Sequence, residues 1–248
     1  MNLLENHSPL EVPAVNLRKR TLLMFLATLP AACAIPSVPS PHEVAVAGPA
    51  IPPTMRLPQL GQEWVYTLTD VYTGQERGIL TEKVVAVGDK IQIQRSSNVG
   101  GALLDETQGP WGMIVQDPHW TPVPTFSPAL PLWPLELKAG WSGEFHSRYR
   151  IVGQSTFDYD WLQSMQAVGW EEITTPAGKF QALKFTNLIH YQSDELVFRL
   201  SSERTETLWL VPEIGRWAIR RSAGTYLIEI RGGDVREDFL EWRLQSWK

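Results

Sequence analysis

The chain has 248 residues, 43% of them hydrophobic, and a formal net charge of −5, the balance of one ordinary globular domain. A mildly acidic chain without a basic stripe argues against nucleic-acid binding. A single cysteine excludes an internal disulfide, so the fold rests on its core alone.

The N-terminus reads as an export signal. Arg18, Lys19 and Arg20 form a basic cluster, Leu22 to Leu29 an apolar run, and Pro30, Ala31 and Ala32 lead into Cys33. The run is too short for a membrane span, which needs about 20 residues. Residues 1–32 are therefore assigned to the signal. They carry one net positive charge (Arg18, Lys19 and Arg20 against Glu5 and Glu11), so their removal leaves the rest one unit more negative. Leu29-Pro30-Ala31-Ala32-Cys33 resembles the lipobox of bacterial lipoproteins, with Pro30 where that family usually carries an aliphatic residue. The resemblance implies lipidation of Cys33 and anchoring to the outer membrane, facing the periplasm. Ordinary cleavage after Ala34 is the alternative and would give a soluble periplasmic or secreted protein.

Residues 33–60 are rich in proline, with Pro36, Pro39, Pro41, Pro49, Pro52, Pro53 and Pro58, which prevent a helix and interrupt sheet ladders. They read as an extended tether. A single β domain is expected over residues 61–248.

Within it, alternation and turn chemistry predict strands over Trp64–Thr69, Ile79–Val87 and Ile91–Gln94, with turns at Tyr72–Gln75 and Gly88–Lys90. Trp111–Val115 is another short strand. Asp117–Pro134 contains six prolines and reads as a long loop that covers the sheet or forms a flap, with Trp120, Phe126 and Trp133 as its ligand or packing contacts. Strands are then expected over Trp141–Val152, Phe157–Val168, Trp170–Thr174, Phe180–His190, Glu195–Leu200, Glu203–Val211, Arg216–Arg221, Tyr226–Arg231 and Phe239–Trp247. Trp161–Val168 is the one stretch open to a helical reading. The fold class is all-β: a strongly curved antiparallel sheet or half-barrel with at most one short helix. The eleven tryptophans are expected mostly in its core.

Two turn motifs stand out. Pro176-Ala177-Gly178-Lys179-Phe180 sets a hairpin, and Trp209-Leu210-Val211-Pro212-Glu213-Ile214-Gly215-Arg216 sets a second reversal. With the upstream Pro134-Leu135 and Gly140-Trp141, they resemble a family of bacterial envelope domains of unknown function, similar in outline to periplasmic lipoprotein carriers. The resemblance implies a curved antiparallel sheet and supplies no catalytic residues.

The residues offer no strong chemical signature. His42, His119, His146 and His190 are widely spaced, although His146 and His190 on neighbouring strands, with Glu144, would make a conceivable metal site. No Gly-x-Ser-x-Gly elbow and no phosphate-cradling glycine loop is present, and no cofactor is implied. Arg199, Glu203, Arg204, Glu206, Arg216, Arg220, Arg221, Glu229 and Arg231 read as ion pairs on a solvated sheet face. The function expected is that of a non-enzymatic, lipid-anchored envelope protein binding a protein partner or an apolar ligand on a concave β face. The alternatives are a structural module of envelope assembly and a hydrolase of envelope polymers.

Overall fold

The computed structural model describes residues 43–153, 158–192, 199–228, 233–236 and 238–248. The basic cluster, the apolar run, Cys33 and His42 lie outside the described residues, as do Glu229 and Arg231. No described helix is long and apolar enough to cross a membrane.

The described chain from Glu43 to Lys248 falls in one compact unit. Its strands are β1 (Glu43–Ala45), β2 (Glu63–Asp70), β3 (Gln75–Ala86), β4 (Ile91–Ser97), β5 (Gly101–Ala102), β6 (Glu106–Gln108), β7 (Met113–Gln116) and β8 (Pro124–Pro131). They continue as β9 (Ser142–Ile151), β10 (Tyr159–Thr175), β11 (Gly178–Tyr191), β12 (Arg199–Val211), β13 (Arg216–Ile228), β14 (Gly233–Arg236) and β15 (Leu240–Trp247). One 3-10 turn, Pro212–Ile214, joins β12 to β13.

The pairing order is β10-β11-β12-β13-β15-β2-β3-β4-β6-β7-β8-β9, and β9 returns to β10. The half-barrel expectation is therefore corrected: twelve antiparallel strands close into a barrel. Closure removes most of the sheet edge that a half-barrel would expose. It also removes the hollow inner face, because the interior is packed. Eight of the eleven tryptophans (Trp64, Trp120, Trp133, Trp161, Trp170, Trp209, Trp217 and Trp242) are buried.

Several expected strands fuse. Phe157 lies outside the described residues; from Tyr159 on, the expected strands ending at Val168 and Thr174 are one strand, β10, bent by a bulge between Ala167 and Gly169. The residues open to a helical reading alternate strictly, Trp161, Gln163, Met165 and Ala167 pointing inward, which is a period of two. Asp117–Pro134 is not one loop. Its second half forms β8, where the register breaks between Ile114 and Gln116 of the neighbouring strand accommodate the prolines.

The tether expectation narrows. From Glu43 on, the Pro-rich segment lies against the barrel: β1 pairs with Glu171–Ile173 of β10, Met55 is buried, and Arg56 N–H donates to Pro212 O at 3.0 Å. Arg56 thereby braces the Pro212 turn. Gly215 closes that turn with φ +72°, and a Cβ there would lie 2.7 Å from Arg56 O. Only glycine meets both demands without strain.

Candidate functional site

An eight-stranded barrel is just filled by ordinary side chains, so twelve strands leave more room than aliphatic residues can occupy. Here the space is filled by large aromatics and arginines. Arg216 and Arg220 are 0% and 1% exposed. The Arg216 guanidinium carbon sits 3.9 Å from the Trp217 ring centroid, and that of Arg220 sits 4.9 Å from the same ring, geometries suited to cation–π attraction. The reading of Arg204, Glu206, Arg216 and Arg220 as a solvated charge face is corrected: all four are buried. Both phases of Glu203-Arg204-Thr205-Glu206 are polar, so alternation alone cannot tell inside from outside here.

These charges form a connected network. Glu82 on β3 faces Arg95 on β4 across one rung, with Arg95 Nε donating to Oε1 at 2.9 Å. Arg216 places Nη2 2.6 Å from both Glu82 and Glu106. His119 spans two acids, with Nε2 2.7 Å from Glu82 Oε1 and Nδ1 2.7 Å from Asp117 Oδ1. Both contacts are donations only for the doubly protonated ring. With that ring charged, Glu82, Glu106, Asp117 and Glu206 are matched by Arg95, Arg216, Arg220 and His119. Arg220 completes the chain, joining Asp117 at 2.9 Å to Glu206 at 2.6 Å. Asn187 Nδ2 donates to the second oxygen of Glu206 at 2.8 Å.

The acids respond differently to burial. Desolvation pushes Glu82 up, but Arg216, His119 and Arg95 outweigh it and hold the carboxyl well below the usual range. Asp117 is likewise lowered, burial being outweighed by Arg220 and His119. In Glu206 burial prevails over Arg220, with Asp117 adding to it, and the carboxyl is raised. Asp117 and Glu206 share one guanidinium, and of the two only Asp117 also holds His119. Arg220 Nη1, Trp217 Nε1 and Trp242 Nε1 are buried without a hydrogen-bond partner, so the network is not saturated.

Glu82, Glu106 and His119 bring ligand atoms within 4.8 Å of one another. This donor set does not fit a metal ion. Arg216 already bridges the two carboxylates and Arg95 holds Glu82, so a divalent cation would face two buried guanidinium groups. His119 was not grouped with these partners by sequence spacing; Glu82 is 37 residues away.

The other named residues are placed as follows. Trp120 is buried under Arg204 and edge-on to Trp161. Phe126 packs edge-on against Trp161 at 4.9 Å. Trp133 packs on Trp111 at 5.3 Å and over Gly112. All three are core contacts of the 117–134 segment. His146 and His190 do fall on one rung, each opposite Leu162 of β10, but this leaves them two strand spacings apart, about 10 Å. Each instead lies beside its own carboxylate, Glu144 at 3.3 Å and Glu203 at 3.6 Å.

On the solvent face of β9–β12 the register builds two rungs. Ser142, Gln166, Thr186 and Thr207 form one, and Glu144, Ser164, Leu188 and Thr205 the other. The intervening residues Met165, Asn187 and Glu206 point into the core. The two rungs line an open cavity of about 630 Å³. Gly143, Met165, Asn187 and Glu206 complete the lining, which exposes more apolar than polar surface beneath the Ser, Thr and Gln side chains.

No protein-family profile matches the chain, and no curated protein matches it. Two solved structures share part of its shape. One is a candidate lipoprotein of Parabacteroides distasonis, 13% identical, with a TM-score of 0.48, covering 79% of this chain and 99% of its own. The other is a candidate exported protein of Bacteroides fragilis with a YmcC-like fold, 12% identical, with a TM-score of 0.42 and the same coverage. At these values the likenesses assign neither family nor function.

Proposed function

We propose that this is a non-enzymatic recognition module of the cell envelope, exported by its N-terminal signal, held to the outer membrane by lipid on Cys33, and binding a protein partner on the solvent face of β9–β12. The observation that carries this reading is the pair of polar rungs around the cavity. Ser, Thr and Gln side chains on a rigid sheet, over a lining that exposes more apolar than polar surface, suit a protein partner, whose contact surface mixes hydrogen-bonding and apolar groups. The interior supports the same reading, since its volume is taken by side chains and its acids are paired with arginines. Those groups are committed to holding the walls together.

The test is co-purification from native membranes. Thr186→Arg with Thr207→Arg places two bulky charges in the middle of one rung without touching the core. Loss of the co-purifying protein at unchanged thermal stability is the expected result. An unchanged partner set removes this face from consideration.

A further inference from the structure

Strand β9 has two neighbours of unequal reach. It pairs with β10 from Ser142 to Tyr149, but with β8 only from Arg148 to Ile151. Trp141 O accepts the Ala167 N–H at 2.8 Å, which sets the phase of the ladder. Gly143, Phe145 and Ser147 bond toward β10, so Ser142, Glu144 and His146 turn their backbone N–H and C=O the other way. Among the described residues no strand pairs with them on that side. The second half of β8 has left the line, its Pro128 carbonyl accepting from the Ser147 hydroxyl at 2.6 Å and its Pro131 carbonyl from Gln163 at 3.5 Å. The barrel therefore keeps one short open edge. Such an edge is a template for another strand.

We propose that β9 pairs with β9 of a second copy of this chain, antiparallel about a twofold axis at Phe145. Charge selects both the occupant and the register. Outward-bonding residues must oppose one another, so Glu144 faces Glu144 of the partner subunit, His146 of the partner subunit or, with no charge pairing, Ser142 of the partner subunit. The first choice sets like charges opposite and is unfavourable. The second sets Glu144 against His146 of the partner subunit, and repeats that contact by symmetry. The Glu144 and His146 side chains are 61% and 74% exposed and free to reorient. Phe145, stacked on Trp141 at 6.2 Å and 23°, then meets Phe145 of the partner subunit at the axis. A ladder of about four main-chain hydrogen bonds results, the size of a weak, reversible interface.

Sedimentation equilibrium of the full chain carrying Cys33→Ser tests this, the substitution removing both lipid and intermolecular disulfides. A monomer–dimer equilibrium with a dissociation constant on the order of micromolar is expected. Glu144→Pro removes an outward N–H while the ladder to β10, which uses Gly143 and Phe145, stays intact. It is expected to weaken the dimer at least about tenfold without lowering the melting temperature. Glu144→Lys is expected to weaken it as well, and adding His146→Glu to restore it. Thr186→Arg, two strands away, leaves the dimer unchanged, so failure of the proposed partner face and failure of self-pairing are distinguishable. A monomer throughout the concentration range, a dimer indifferent to Glu144→Pro, or a monomer whose edge takes up an unrelated extended peptide overturns the proposal.

Discussion

Arg216, at the start of β13, places Nη2 2.6 Å from Glu82 Oε2 in the middle of β3, although β15 and β2 lie between those strands in the sheet. The contact crosses the interior and ties two walls of the barrel together. Removing one member of a buried pair leaves an uncompensated charge, at a cost of about 3–5 kcal/mol. Glu82→Gln is therefore expected to destabilise the domain by that amount and to lower its melting temperature by on the order of 10 °C. Thermal unfolding followed by circular dichroism checks it. An unchanged transition would mean that the pair is dispensable.

Glu206→Gln is expected to behave differently. Burial raises the Glu206 carboxyl, so its charged form is already disfavoured in the folded state. The amide keeps one acceptor for Arg220, and the cost is expected to be under about 1.5 kcal/mol. The measured order of the two variants by urea denaturation decides the point, and a larger loss for Glu206→Gln contradicts it.

The same pKa directions give the response to acid. Glu82 and Asp117 are lowered, so their contribution is full above the ordinary carboxylate pKa of about 4 and is lost as pH falls toward their folded values. Glu206 is raised, so its contribution has the opposite sign: present below about pH 4 and lost as pH rises through its folded value. Two lowered acids outweigh one raised acid. Stability measured by urea titration is expected to fall below about pH 4, and Glu82→Gln to flatten that fall.

Zinc is expected to leave the melting temperature unchanged. At a hundredfold excess over its dissociation constant, a bound ion would add about 2.7 kcal/mol. The Glu82–Glu106–His119 cluster has its charge met by Arg216 and Arg95, and differential scanning fluorimetry with zinc and with chelator reads this directly. A rise in melting temperature would show that the arginines yield to metal.

Gly215→Ala is expected to cost more than about 1 kcal/mol, because the residue sits at φ +72° and its new methyl group would press on Arg56 O at 2.7 Å. Urea denaturation measures the loss.

Much of the fold was legible because the strands alternate. Ile91, Ile93 and Arg95 point inward and Gln92 and Gln94 outward, and the turns at Gly178 and Gly215 announce themselves by Pro and Gly. Closure was not legible, because it depends on β15 pairing with β2 from the far end of the domain, a contact no local pattern encodes. The interior network was hidden for a physical reason. Glu82, Glu106, Arg204 and Arg216 look like surface residues one at a time, and become core residues only when a wide barrel brings their partners from distant strands. The Pro-rich composition of Asp117–Pro134 masked β8 and its neighbour His119 in the same way. The rungs around the cavity lie on strands correctly read, but Ser and Thr on an outer face are the commonest surface chemistry and carried no signal of a cavity.

The central claim is that recognition takes place on the solvent face of β9–β12 and not inside the barrel. Photo-crosslinking in intact cells, with a photoreactive residue at Thr205 and, as a control, at Lys90 on the exposed β3–β4 turn, measures it most directly. A discrete protein adduct from position 205 and none from position 90 is the expected result. Equal labelling at the two positions, or an adduct from position 90 alone, would contradict it.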